Sequence, residues 1–558
     1  MKKDGGRKGI SRRSFLRAAG AGTLAAGLGN SLLSQNRAEA QKKAPSGSKK
    51  GGRILAKAAF VASLDDSLGT ISRGAVIVEG DKITAVGPYD QLSKQGPFSE
   101  EIGSLRSDLL MPGLTSSHHH AHRAFRDGHP DKPLEKWLPF RVGPYAQGFS
   151  NEQIYLNKAW ATIELIRAGC TSVLDWHTGV GRADRLGVPI AIKAYREIGM
   201  RVALALGVTD QNRLFYLGNE KVFNRLSKRA KAGAKGALFP LNHDKFFGLW
   251  TSLRKELTRP DGRVQIYHGP AAPHTCSDAL LRRMKRSAEE HKAGIQIHLD
   301  ESPHQRAAAF EAKGKSNVQW MDELGFWGPE VSCAHGVWLS EDDLQILKNR
   351  GTTVVHDPGS NLRLFSGIAP VHVMRKVGTP LAFGADGVGI NDNNDLMMDI
   401  RLADMLQRLP GLKTPRISAE NWFKIAIQGG ARVLLQENAL GSLSPGKNAD
   451  FILVDLERMR SPSTSSDVEP LELLIHRGFG SDVHTSYVAG RPVMRSGKIL
   501  NIDEKAIAKG IKKAMAGKYP FYKKVKPVVA ESEEIVADLV KSWDLRLSPK
   551  TGYRYNSN

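Results

Sequence analysis

At 558 residues the chain is too long for one small core, which predicts one large domain and a smaller one. With 41% hydrophobic and 25% charged residues it has an ordinary globular composition and no long apolar span, which excludes a fibrous or membrane-embedded chain. The formal charge of +23 raises nucleic-acid binding, but Lys and Arg are dispersed, densest at Lys228–Lys235 and Lys505–Lys526, with no nucleic-acid motif beside them. A solvated basic surface is the reading, with no nucleic acid as partner.

Residues 1–40 read as an address. Ser11-Arg12-Arg13-Ser14-Phe15-Leu16-Arg17 is a twin-arginine pattern, an Ala/Gly/Leu-rich stretch runs from Ala18 to Leu33, and Ala38-Glu39-Ala40 offers small residues to a signal peptidase. The apolar stretch is too short and too rich in glycine to span a bilayer, so stable membrane insertion is not expected. The expectation is export by the twin-arginine machinery, which carries folded proteins, to the periplasm or beyond. The leader holds eight Lys/Arg against two Asp/Glu, so the chain without it keeps +17. Cys170, Cys276 and Cys333 are far apart and odd in number, which argues against a disulfide framework and for small apolar packing residues.

Residues 41–107 begin with a Lys/Ser/Gly linker and continue as short strands at Ile54–Ala62, Gly74–Glu79 and Lys82–Val86. Strand signals return in 441–500, at Ala449–Asp455, Thr485–Val488, Arg491–Met494 and Lys498–Leu500, which predicts a small β domain assembled from both ends of the chain. Between them, 108–440 alternates short apolar strands with amphipathic helices. The strands are Ser172–Asp175, Val202–Leu206, Val264–Tyr267, Ile295–His298, Ser332–His335, Thr353–His356 and Leu381–Gly384; helical stretches include Gln153–Ala168, Ser277–His291 and Ser340–Lys348. The fold class is therefore α/β: a TIM-like (β/α)8 barrel with a small β-sandwich domain built from the N- and C-terminal segments. The tail, 501–558, is basic and helix-prone, then polar, and shows no chemistry of its own.

Catalytic groups in such barrels sit at the C-terminal ends of strands. Met111-Pro112-Gly113-Leu114 leads to His118 and His120, which share one face of a strand because side chains alternate. His298 and His335 end two more apolar strands, and Asp386 ends a fourth. Of these four imidazoles, three with the carboxylate would suit Zn²⁺ or Fe²⁺ with a position left open for water. His119 faces away from the pair; a register using His120 and His122 would break the Pro-Gly-Leu spacing.

These motifs resemble the amidohydrolase superfamily, in the branch of cytosine, guanine and thiomethyladenosine deaminases and triazine hydrolases. The matching runs are Pro112-Gly113-Leu114 through His118 and His120; Gly269-Pro270-Ala271-Ala272-Pro273; His298-Leu299-Asp300-Glu301; Ala334-His335-Gly336; His356-Asp357-Pro358-Gly359-Ser360-Asn361-Leu362; Gly384-Ala385-Asp386-Gly387; and Gly441 through Asp450. The resemblance covers nearly all of the chain beyond the leader. It implies that His118, His120, His298 and Asp386 hold one divalent metal ion. The bridging lysine of binuclear members has no counterpart in Val264-Gln265-Ile266-Tyr267-His268, so a mononuclear site is expected, with His335 hydrogen-bonding the attacking water or the oxyanion.

The implied catalytic set is Glu301, His335 and Asp386. Asp386 takes a proton from water whose pKa the metal lowers from about 15.7 towards about 7. Glu301 protonates a ring nitrogen and then serves the departing amine. Trp137, in the long loop after the first strand, His177 at a strand end and His274 after the Gly-Pro-x-x-Pro turn are candidates for substrate contact. His356 and Asn361 are expected to hold the loop after the seventh strand, where Asp357 replaces the cysteine more common in the family.

The expected function is metal-dependent hydrolysis of non-peptide C–N bonds, as an aminohydrolase of a nitrogen heterocycle; a homo-oligomer is compatible with it. The alternatives are ring opening of a cyclic amide, as by imidazolonepropionase, and triazine-type displacement of halide or alkylamine. A binding protein that has lost catalysis would lack a ligand, and none is missing.

Overall fold

The computed structural model describes residues 52–121, 131–138, 150–177, 187–211, 216, 218–228, 230, 242–387, 394–408, 416–465, 467–516, 519–541 and 543. The leader, His122, much of the loop after the first barrel strand and the polar end of the tail lie outside the described residues.

The first barrel strands are β6 (Leu114–His120), β7 (Cys170–His177), β8 (Arg201–Val208) and β9 (Val264–Pro270). They continue as β10 (Ile295–Leu299), β11 (Val331–His335) and β12 (Thr353–His356). All run parallel, each beside the next. The eighth strand comes in two pieces. β13 (Leu381–Phe383) pairs with β12, and β14 (Asp386–Gly387) pairs with β6, so the ring closes where Asp386 lies opposite His119.

Alternation along each strand separates shell from lumen. In β10, Ile295, Ile297 and Leu299 are fully buried between strand and helices, each stabilising the fold by roughly 1.5–3 kcal/mol. Gln296 and His298 then point inward, as the period of two requires. The lower lumen is filled by Leu174, Trp176, Tyr267, Val355 and Ala382, with Ala203 and Ala205 of β8 leaving space for the two large rings.

A second sheet holds β1 (Arg53–Ala62), β2 (Thr70–Glu79), β3 (Lys82–Pro88), β4 (Glu100–Ile102) and β5 (Asp108–Pro112). It is completed by β15 (Phe451–Asp455), β16 (Val483–Val488), β17 (Arg491–Arg495) and β18 (Lys498–Ile499) from the far end of the chain. The join is β5 against β15, antiparallel, Phe451 opposite Pro112. Arg201 clamps this sheet to the barrel: its Nε and Nη2 donate to the two carboxylate oxygens of Asp450 at 3.0 and 2.9 Å, with both residues buried.

Among the described residues, two helices follow β18. Glu504–Ala516 lies along the helix Asn151–Arg167, with Arg167 and Glu504 paired at 2.7 Å. The last, Tyr519–Val540, crosses to the loops at the catalytic end. Among the described residues no helix is long and apolar enough to cross a membrane. All three cysteines are free and buried.

Candidate metal centre and active site

The histidines predicted at strand ends do meet. His118 and His120 have ring centroids 4.9 Å apart, His118 and His298 also 4.9 Å, and His120 stacks on His298 at 5.3 Å. Each ring is oriented by its Nδ1 hydrogen. His118 donates to Gln296 Oε1 at 2.8 Å, His120 to the carbonyl of Trp176 at 2.9 Å and His298 to the carbonyl of Ala271 at 2.6 Å. With Nδ1 carrying the hydrogen, every Nε2 presents a lone pair to the same small volume. The Nε2 atoms of His120 and His298 stand 3.1 Å apart, and Asp386 Oδ1 lies 3.4 Å from His118 Nε2 and 3.6 Å from His120 Nε2.

Such a convergence of lone pairs and carboxylate oxygen requires a positive charge in its midst. The local field shows the same demand. Burial pushes His118 down, but Asp386 and Asp357 outweigh it and lift the group to about 9, while Asp386 is held well below the usual carboxylate range despite its burial, chiefly by His118. His118 Nε2 is buried and, among the described residues, makes no hydrogen bond. The donor set therefore fits a divalent cation, with second partners fixing the imidazoles as metal sites require.

His335 stands beside this cluster, its ring 5.4 Å from that of His118 and 5.6 Å from that of His298. Its Nδ1 donates to Asn361 Oδ1 at 3.1 Å, and its Nε2 faces Glu301 Oε2 at 3.6 Å. Burial pushes His335 down to about 4, so the neutral ring dominates near pH 7. Asp300, His335 and Asp386 all have left-handed backbones, with φ of 41°, 75° and 53°. Strain of this kind costs on the order of 1–3 kcal/mol per residue and re-aims strand ends into the mouth.

Three contributors went unassigned in the sequence. Gln296 shares the inward face of β10 with His298; it holds His118 and donates from Nε2 to the carbonyl of Ser117 at 2.7 Å. Ser360 donates to Asp386 Oδ2, which leaves Oδ1 to face the histidines. Glu135 is buried beside Ser302, the residue after Glu301: its Oε1 accepts from Tyr216 at 2.8 Å and from Ser302 at 2.6 Å. The strand period marked Gln296, whereas nothing local marked Ser360 or Glu135.

Two of the other candidates, His274 and Trp137, both lie against Tyr216 or in its apolar cluster. His274 packs on Tyr216 with centroids 4.8 Å apart. Trp137 is 9% exposed, in an apolar cluster with Tyr216 and Val536. His177 is buried at the end of β7, close enough for its charge to act on Asp175. Buried His356 holds the neighbouring strand through its carbonyl, which accepts from Gly384 N at 3.1 Å; its ring nitrogens make no hydrogen bond among the described residues. Asp357 sits nearer the chemistry than a packing residue would: Oδ2 accepts from His335 N at 3.2 Å, and burial pushes its carboxyl up to about 8.

Residues 109–493 match the Amidohydrolase family. The chain belongs to that family. The amidohydrolase is 31% identical over 462 residues to the 5'-deoxyadenosine deaminase of Methanosarcina mazei, covering 83% of this chain and 97% of that one. It is 30% identical over 449 residues to the 5-methylthioadenosine/S-adenosylhomocysteine deaminase of Desulfitobacterium hafniense, covering 80% and 94%. In fold it is similar to a zinc-bound adenosine deaminase from Xanthomonas campestris (TM-score 0.71, 24% identity, 82% of this chain and 97% of that one). It is likewise similar to the zinc complex of atrazine chlorohydrolase from Arthrobacter aurescens (TM-score 0.70, 21% identity, 83% and 100%). This amidohydrolase is a divalent-metal hydrolase of non-peptide C–N bonds. The helix Tyr519–Val540 lies beyond the family match.

Proposed function

We propose that the enzyme removes the amino group of a nitrogen heterocycle, an aminopurine borne on a nucleoside-like scaffold, releasing ammonia. The observation that carries this reading is Glu301, a buried carboxylate placed 3.6 Å from His335 at the rim of three converging Nε2 atoms. The adenosine-type substrates named for its relatives support it.

His118, His120, His298 and Asp386 would hold one ion, Zn²⁺ or Fe²⁺, which when bound makes water acidic enough to supply a nucleophile near neutral pH. Asp386 Oδ1 receives the proton of the attacking water, with Ser360 fixing the other oxygen. Glu301 delivers a proton to the ring nitrogen beside the attacked carbon, then as a carboxylate moves the proton of the new hydroxyl to the departing amine, and the proton held by Asp386 returns to Glu301 to close the cycle. His335, held by Asn361, steadies the attacking oxygen through Nε2. We infer further that the enzyme is exported by the twin-arginine route and acts in the periplasm or outside the cell, on the strength of Arg12-Arg13 and Ala38-Glu39-Ala40.

An ammonia-release screen over aminopurines, aminopyrimidines and aminotriazines tests the reading, with Glu301→Gln alongside. The expected result is ammonia from an aminopurine nucleoside, and a Glu301→Gln enzyme that keeps its metal but loses at least about 10²-fold in turnover. Hydrolysis without ammonia, or normal turnover by Glu301→Gln, would overturn it.

A further inference from the structure

The C-terminal helix Tyr519–Val540 packs on loops that each follow the C-terminal end of a barrel strand. Val536 is 1% exposed and sits among Leu134 (after β6), Val222 (after β8), Ala308 (after β10) and Leu364 (after β12). Polar contacts ring this apolar centre. Glu533 pairs with Lys132 at 2.7 Å, Asp538 with Arg225 at 2.8 Å, and Glu531 accepts from the amide and hydroxyl of Ser227 at 2.9 and 2.8 Å.

Just past the helix, the Trp543 ring lies 5.9 Å from that of Tyr216 and 6.4 Å from that of His304. Tyr216 shares Glu135 with Ser302, the neighbour of Glu301. The layers outward from the reacting centre are thus Glu301, then Ser302 with Glu135 and Tyr216, then Trp543. A basic, helix-prone tail gave no sign of this placement, because periodicity shows that a helix has an apolar face without showing what covers it.

We propose that residues 529–540 of this helix, together with Trp543, form a specificity-determining wall of the substrate site, with Trp543 limiting how far the group attached to the reacting ring extends beyond Tyr216. The inference rests on the deaminase reading: a heterocycle engaged by Glu301 leaves its substituent on the Tyr216 side. A rigid aromatic wall discriminates by size, and one methylene in an apolar pocket is worth roughly 10–200-fold.

The test compares adenine, 5'-deoxyadenosine and S-adenosylhomocysteine, which share an aminopurine and differ in what it carries, using the full-length, metal-loaded enzyme. Trp543→Ala should shift the kcat/KM ratio of the largest to the intermediate probe by about tenfold, carried by KM, with Trp543→Phe restoring the original ratio. Asp538→Lys, which opposes Arg225 at the exposed rim, should shift it in the same direction and serves if Trp543→Ala does not fold. An unchanged ratio in folded, metal-replete variants overturns the wall. If the parent enzyme acts on none of the three, the deaminase reading is what fails. The wall is then judged by diethyl pyrocarbonate labelling of His274 and His304: several-fold faster labelling in the variants supports it, and equal rates refute it.

Discussion

Each of the three histidines proposed to hold the metal has its Nδ1 hydrogen fixed by an oxygen on another strand or turn, so ring orientation does not depend on the metal. Gln296 alone among these partners acts through a side chain, and its amide also bonds Ser117 and Ser332. Gln296→Leu keeps the volume, removes the acceptor and frees the His118 ring to turn. Metal affinity, read by competition with a chelator, should fall about 10–100-fold while the fold persists; unchanged affinity would remove Gln296 from the site. At this scale the sequence was most legible where chemistry coincides with a strand end. His118, His120, His298 and Asp386 could be named because alternation and barrel geometry leave few directions open. Ser360 and Glu135 could not, because their partners are 26 and 167 positions away.

Strand eight is where one element controls the site. Between β13 and β14 the chain must pass beside His118, and a Cβ on Gly384 would come within 2.3 Å of Asp357 Oδ1 and 2.8 Å of His118 Cβ. Gly384 is therefore required for closeness of approach and not for flexibility. Gly384→Ala should displace Asp386 from the histidines, with a stability loss of about 1–3 kcal/mol in denaturant titration and loss of bound metal. Retention of both would show that the neighbouring chains yield. The remaining strands were legible to within a few residues because apolar runs bounded by turns mark them: the predicted Ile295–His298 is β10, one residue longer, and Ser172–Asp175 is the centre of β7. The split of strand eight was not visible, since the left-handed backbone at Asp386 arises from tertiary packing and not from local propensity.

Over the whole molecule, the two chain ends meet in one nine-stranded sheet fixed to the barrel by the buried Arg201–Asp450 pair, and the β-rich termini foretold that meeting. The tail's destination came only from structure: its last helix lies on the same end of the barrel as the converging imidazoles. Hydrolysis depends on those imidazoles gripping a cation. The most direct measurement is elemental analysis of the purified full-length protein beside His298→Ala. The prediction is about one equivalent of zinc or iron per chain in the parent, and a marked loss of metal and activity together in the variant. A metal-free parent that still hydrolyses its substrate, or a variant that keeps its full equivalent of metal, would contradict it.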